Sequence, residues 1–215
     1  MQSVLVDSAR DCQGMSIVET QEHDRVLRVA IYFEAGLGIG ALLVGWLIGF
    51  NPIDYFQLEP INLLYAAALT IPPVLFFITL THLPLAPLKL IRERLDEIIV
   101  PLFGRLTILE LGLVSLVAGW GEELLFRGLL QPALGSLMRG YEDIAGLVLS
   151  NIVFGLAHLV TPSYAVIAAV LGAFMGATFL YFDDLAVPIV IHALYDFAAL
   201  VYYLRIARKP SASID

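Results

Sequence analysis

The stretch Ala118-Gly-Trp-Gly-Glu-Glu-Leu-Leu-Phe-Arg-Gly-Leu-Leu130 sets three ionisable groups, Glu122, Glu123 and Arg127, inside a segment apolar enough to lie in a bilayer. Charge at that depth costs free energy unless it is paired or faces a wet cavity. A functional site is therefore the first expectation for this stretch. The only other groups with plausible chemistry in an apolar setting lie further along: His158, then His192 with Asp196.

Composition places the stretch in its setting. The 215-residue chain is 59% hydrophobic and 15% charged, with a mean hydropathy of +0.84. Soluble domains are closer to half apolar and a quarter charged, so an integral membrane protein is expected. A net charge of -8 argues against a nucleic-acid partner, because such proteins need basic patches. The single cysteine, Cys12, supports neither a disulfide framework nor a cysteine metal site. Residues 1–24 lack a basic start and an apolar core, so no cleavable signal peptide is expected there.

Outward from the opening stretch, the pattern predicts an all-α, polytopic membrane bundle. About six spans are expected, at Val29–Phe50, Ile61–Leu83, Leu106–Leu134, Ile144–Val160, Tyr164–Phe182 and Leu185–Leu204. Pro72-Pro73 predicts a kink in the second span. Gly121 and Gly128 are candidate kink sites in the third. Gly36, Gly40, Gly45 and Gly49 in the first span, and Gly172 with Gly176 in the fifth, have the spacing of close helix packing. Between spans two and three, Leu88, Ile91, Leu95 and Ile98 recur at helical spacing opposite Lys89, Arg92, Glu93, Asp96 and Glu97. That is the pattern of an amphipathic helix in the interface. The chain thus divides into a polar leader (1–28), N-terminal membrane helices with the interfacial helix (29–105), the helices carrying the polar groups (106–204) and a basic tail (205–215).

Lysine and arginine set the orientation. Arg25 and Arg28, then Lys89, Arg92, Arg94 and Arg105, then Arg205, Arg208 and Lys209 fall on one side of a six-span chain; only Arg139 falls on the other. Both termini are expected in the cytoplasm. Glu34 and Glu110 lie one or two turns inside the cytoplasmic ends of spans one and three. They are expected to snorkel or pair near the interface, with cavity lining as the alternative.

The spacing sorts the charges. Arg127 is four residues after Glu123, the favourable order for an ion pair on a helix. Glu122 projects about 100° away around the helix. Glu123 is therefore expected to be held by Arg127, leaving Glu122 as the proton acceptor available for general-base work. A purely structural ion-pair cluster is a poor alternative, since two adjacent carboxylates serve one arginine. Asn151, Phe154 and His158 share a face of span four, and His192 and Asp196 share a face of span six. Glu122 or His158 is a candidate to activate water, and His192 to hold an oxyanion or carbonyl. Two carboxylates and two histidines also make a sufficient ligand set for zinc, with Glu122, His158 and His192 as candidate ligands. There is no His-Glu-x-x-His pattern.

Glu122-Glu123-x-x-x-Arg127, Phe154-x-x-x-His158 and His192-x-x-x-Asp196, in order on successive apolar helices, resemble the three motifs of the CPBP family. This family comprises the CAAX prenyl endopeptidases and the bacteriocin-processing (Abi) intramembrane proteases. The resemblance covers about Leu106 to Leu204. It implies an endopeptidase acting within a membrane, expected to be the bacterial cytoplasmic membrane, on a membrane-associated protein or peptide. By analogy Glu122 is the water-activating base, assisted by His158. Glu123 and Arg127 support the base, and His192 and Asp196 stabilise the oxyanion. The family's label as metalloproteases keeps zinc as the alternative to a glutamate mechanism without metal. Asp196 stands where prenyl endopeptidases typically carry asparagine. An ionised carboxylate repels an oxyanion, so orienting His192 or binding a metal suits it better. Some relatives suggest the alternative of a non-proteolytic scaffold or immunity-type partner.

Overall fold

The computed structural model describes the backbone of residues 2–207 and the side chains of residues 21–207. Cys12, much of the polar leader and the tail residues Arg208 and Lys209 lie outside the described side chains. The described chain is all α-helical. In order come α1 (Gln2–Ile48), a single 3₁₀ turn (Pro52–Tyr55), α2 (Pro60–Leu69), α3 (Ile71–His82) and α4 (Ala86–Phe103). Then follow α5 (Ile108–Glu123), a π-helical segment (Leu124–Leu130), α6 (Gln131–Gly135), α7 (Glu142–Ala157), α8 (Pro162–Phe182) and α9 (Ala186–Val201), which ends in a π-helical segment (Tyr202–Ala207).

Four helical segments are each long and apolar enough to span a bilayer: Gln21–Ile48, Pro60–His82, Pro162–Phe182 and Ala186–Ala207. A fifth is reached only by joining Ala86–Phe103 to Ile108–Gly135 across a 111° bend. The expectation of about six spans is thus met as a multi-span bundle, with four to five spans by length and hydropathy. The two shortfalls have separate causes. The third stretch carries Glu122, Glu123 and Arg127 in its interior. The fourth, α7, has 16 residues, about 24 Å of helix against a hydrocarbon layer of about 30 Å.

Local chemistry sets the element ends. Thr107 and Glu110 form a reciprocal capping box that starts α5. Thr161 caps α8 by accepting from the Tyr164 amide at 3.1 Å. Asp183, in the left-handed conformation at φ 49°, ends α8. The Pro72-Pro73 pair coincides with the break between α2 and α3 at Thr70, as expected.

Glycines let the helices touch backbone to backbone. A Cβ on Gly119 would meet the Ala193 amide nitrogen at 2.8 Å, so α5 and α9 lie in close contact. A Cβ on Gly121 would strike the Glu34 carbonyl oxygen, and one on Gly128 would meet Pro52. These two glycines therefore serve close packing; the helical irregularity expected near them is the π segment 124–130. Gly172 and Gly176 pack tightly, as their spacing predicts, against Asn151 and Gln131. Gly36 and Gly40 do not: a Cβ at either meets nothing within 4 Å. In α1 the close contacts fall instead on Gly38, against Trp120, and on Gly45, against the Phe50–Pro52 turn.

Helix α4 is amphipathic as expected, with Leu88 and Ile91 buried and Lys89 and Glu93 exposed. Its apolar stripe ends on Ile99, however, and Ile98 is turned outward. The Arg92 guanidinium donates to the Leu83 carbonyl at 3.2 Å, and Tyr203 donates to the Arg92 carbonyl at 3.1 Å. These bonds hold α4 against α3 and α9.

Candidate active site

The π segment sits directly after Glu123 and contains Arg127. Such widened turns recur at functional sites because they re-aim side chains. Here Glu123 and Arg127 are both completely buried and meet at 2.9 Å. The same guanidinium donates to the Gly172 carbonyl at 2.7 Å and to Asn151 Oδ1 at 3.3 Å. It also lies 4.6 Å over the Phe154 ring. One arginine thus ties the 108–135 segment to α7 and α8. The predicted Glu123–Arg127 pair is present. The part of Asn151, which the sequence places only on the His158 face, is to hold this arginine.

Glu123 has a second partner. His192 Nδ1 donates to Glu123 Oε1 at 2.7 Å, and His192 Nε2 lies 3.5 Å from Asp196 Oδ2. The imidazole is fixed between two carboxylates, one from α5 and one from its own helix. His158 caps the end of α7; its Nδ1 lies 2.9 Å from the Phe154 carbonyl, and its ring stacks on Phe154 with centroids 4.3 Å apart. That leaves His158 Nε2 facing Glu122 Oε2 at 3.6 Å. This Glu122 oxygen is buried and has no hydrogen-bond partner.

The structure therefore separates the adjacent carboxylates as the spacing predicts. Glu123 is engaged by Arg127 and His192. Glu122, His158, His192 and Asp196 face one cavity of about 280 Å³. Its other wall is apolar, with Ile91, Leu95 and Phe103 of α4 and Leu171 of α8 among its residues. Glu110 does not reach the cavity; it pairs with His23 at 3.2 Å and caps α5. Glu34 does reach it, where interfacial snorkelling was the leading expectation. Tyr164 and Tyr195, not singled out from sequence, also line it. Their signal was only that each lies within six residues of a motif histidine.

Zinc needs at least three protein ligands converging on a point about 2.0–2.3 Å from each. Glu122 and His158 face each other, but both His192 nitrogens are directed at Glu123 and Asp196. Among the described residues no three His, Cys, Asp or Glu side chains gather into a metal-holding set.

Fold and cavity together define a multi-span helical membrane protein with a buried carboxylate–histidine site. Residues 104–198 match the family described as Rce1-like, type II CAAX prenyl endopeptidase Rce1-like. This segment, a little under half of the chain, is similar to that family and contains all three motifs, in line with the resemblance to the CAAX proteases. The match supports an intramembrane endopeptidase of CAAX type in general. No curated protein and no solved structure matches the chain.

Proposed function

We propose that the protein hydrolyses a peptide bond of a membrane-associated protein or peptide, using Glu122 as the base. The observation that carries this is the Glu122 carboxylate itself, buried against the cavity, without a hydrogen-bond partner and 3.6 Å from His158 Nε2. That gap is too long for a direct hydrogen bond and suits a water bound between the two.

The reaction follows from these positions. Glu122 takes a proton from the water as its oxygen attacks the scissile carbonyl carbon. The proton then passes to the leaving nitrogen, and the C–N bond breaks. His158, fixed through Nδ1, holds the water through Nε2. Glu123 keeps His192 oriented through Nδ1, and Arg127 holds Glu123. His192 Nε2, when protonated, donates to the oxygen that develops negative charge. Asp196 acts through His192, because its own carboxylate would repel that oxygen. The proposed steps use Glu122, His158 and His192 and are written without a metal. The apolar wall under α4 suits an apolar substrate chain, including a prenyl group. The expected topology, with both termini cytoplasmic, would bring substrate to the cavity from the α4 side.

The deciding experiment reconstitutes the full chain in liposomes with a quenched-fluorescent prenylated CAAX peptide. Comparing membrane-protein termini in cells carrying wild type or Glu122→Gln extends the search to other substrates. Cleavage by wild type and none by Glu122→Gln is expected. A Glu122→Gln protein that cleaves at the wild-type rate overturns the mechanism and leaves a scaffold role as the alternative.

A further inference from the structure

Among the described residues, three cavity-lining side chains keep an oxygen with no hydrogen-bond partner: Glu34 Oε2, Ser115 Oγ and Glu122 Oε2. Glu122 is already assigned to the water. Ser115 is 1% exposed and sits in the cavity wall. Glu34 is half-buried on α1, and its own carbonyl oxygen packs on Gly121, the residue preceding Glu122. Backbone contact at that point brings the Glu34 side chain to the same end of the cavity as the base.

Amide hydrolysis has three requirements in such a cavity. The water needs an acceptor for its proton, and the carbonyl oxygen needs a donor. The peptide N–H, stripped of its own water on entering an apolar site, also needs an acceptor, because an unpaired buried donor is costly. Glu122 meets the first requirement and His192 the second. Asp196 faces His192, and Glu123 is engaged by Arg127 and His192. Among the described residues, Glu34 Oε2 is the other buried carboxylate oxygen of the cavity wall without a hydrogen-bond partner.

We infer that Glu34 is a further catalytic residue that holds the nitrogen side of the scissile bond. This rests on the proposed endopeptidase activity and extends it to the third atom of the reacting amide. Glu34 Oε2 accepts a hydrogen bond from the scissile N–H and fixes the nitrogen toward Glu122. The bonds balance without any other reactant. The water oxygen bonds to the carbonyl carbon, and its proton goes to Glu122 and then to the nitrogen. The C–N bond breaks, and the freed amine leaves with Glu34 still accepting from it.

A matched pair of substrates isolates this role. One is the prenylated CAAX peptide; the other replaces the scissile amide with an ester, which has no N–H. Both are given to the full-length protein in liposomes. Glu34→Leu is expected to lower kcat/KM on the amide about 100-fold, the scale of losing the alignment of a reacting group. On the ester it should stay within about threefold of wild type. Glu34→Gln, which keeps an acceptor oxygen, should recover most of the amide rate. A Glu34→Leu protein at the wild-type rate on the amide, or one that loses amide and ester activity equally, overturns the inference. The ester rate also reports that the variant is folded. Glu122→Gln should lose both substrates; if it keeps them, the proposed mechanism fails independently of Glu34.

Discussion

Replacing Arg127 by methionine tests the architecture of the site directly. The guanidinium is fully buried and binds Glu123, Asn151 and the Gly172 carbonyl, on three different segments. Methionine fills similar space and removes the charge. Glu123 is then left ionised in an apolar interior with only His192 as partner, while Asn151 Oδ1 and the Gly172 carbonyl lose a donor. Breaking a buried ion pair by removing one member costs about 3–5 kcal/mol, and the orphaned Asn151 oxygen puts this case at the upper end. The assay is reversible unfolding in mixed micelles by SDS titration, followed by circular dichroism. The second arm is the double variant Arg127→Met with Glu123→Gln, which removes both charges. It should recover about 2 kcal/mol through the coupling of the two sites. A single variant that loses less than about 1 kcal/mol, the range of an exposed pair, would refute the reasoning, as would a double variant less stable than the single.

Three other outcomes follow from the same geometry. A Cβ at Gly172 would run into Asn151 Oδ1 and lie 2.8 Å from Arg127 Nη2, so Gly172→Ala should lose stability by about 1–3 kcal/mol in the same titration, whereas Gly36→Ala, at an open position, should not. Asp184 is fully buried and accepts from the Gln57 and Ala186 amides and from Asn62 Nδ2 at 3.1–3.3 Å. Asp184→Ala should therefore cost about 2–4 kcal/mol, while the KM of the folded fraction for the CAAX peptide stays unchanged. Exhaustive chelation should leave the initial cleavage rate as it was; loss of activity restored by added zinc would establish a metal that the observed side-chain positions do not gather.

Much of the site was legible because helical spacing is rigid. The four-residue step from Glu123 to Arg127 and the 100° offset of Glu122 fix which carboxylate is paired, whatever the surrounding bundle does. The same holds for His192 and Asp196. What spacing could not supply is which face of one helix meets another. Glu34 lies on α1, outside every motif, and its place in the cavity depends on the Gly121 contact between α1 and α5. Asn151 was visible as a neighbour of His158, but its bond to Arg127 joins residues 24 apart in sequence. The paired glycines of α1 misled for the same reason: Gly36 and Gly40 satisfy the packing pattern, yet Gly38, on nearly the opposite face of the helix, makes the contact. The π segment left no composition signal, because widening a turn by one residue changes hydrogen bonding and not hydropathy.

The shortness of α7 has a consequence for how water reaches a bond inside a membrane. Arg127, Asn151 and Gly172 mark one level of the bundle. From that level α5 continues to Ile108, about 28 Å of helix, but α8 continues only to Pro162, about 15 Å. The turn joining α7 to α8, with His158 at its start, ends well below the rim set by α5. Helix α4 packs against α8 and lines the same cavity as His158. A hydrolase in lipid works in a solvent almost empty of its co-substrate. A short wall lined by a helix with one polar face would shorten the dry path to such a site. Adding turns at the α7–α8 corner is therefore expected to slow cleavage of the CAAX peptide without altering any residue of the proposed site.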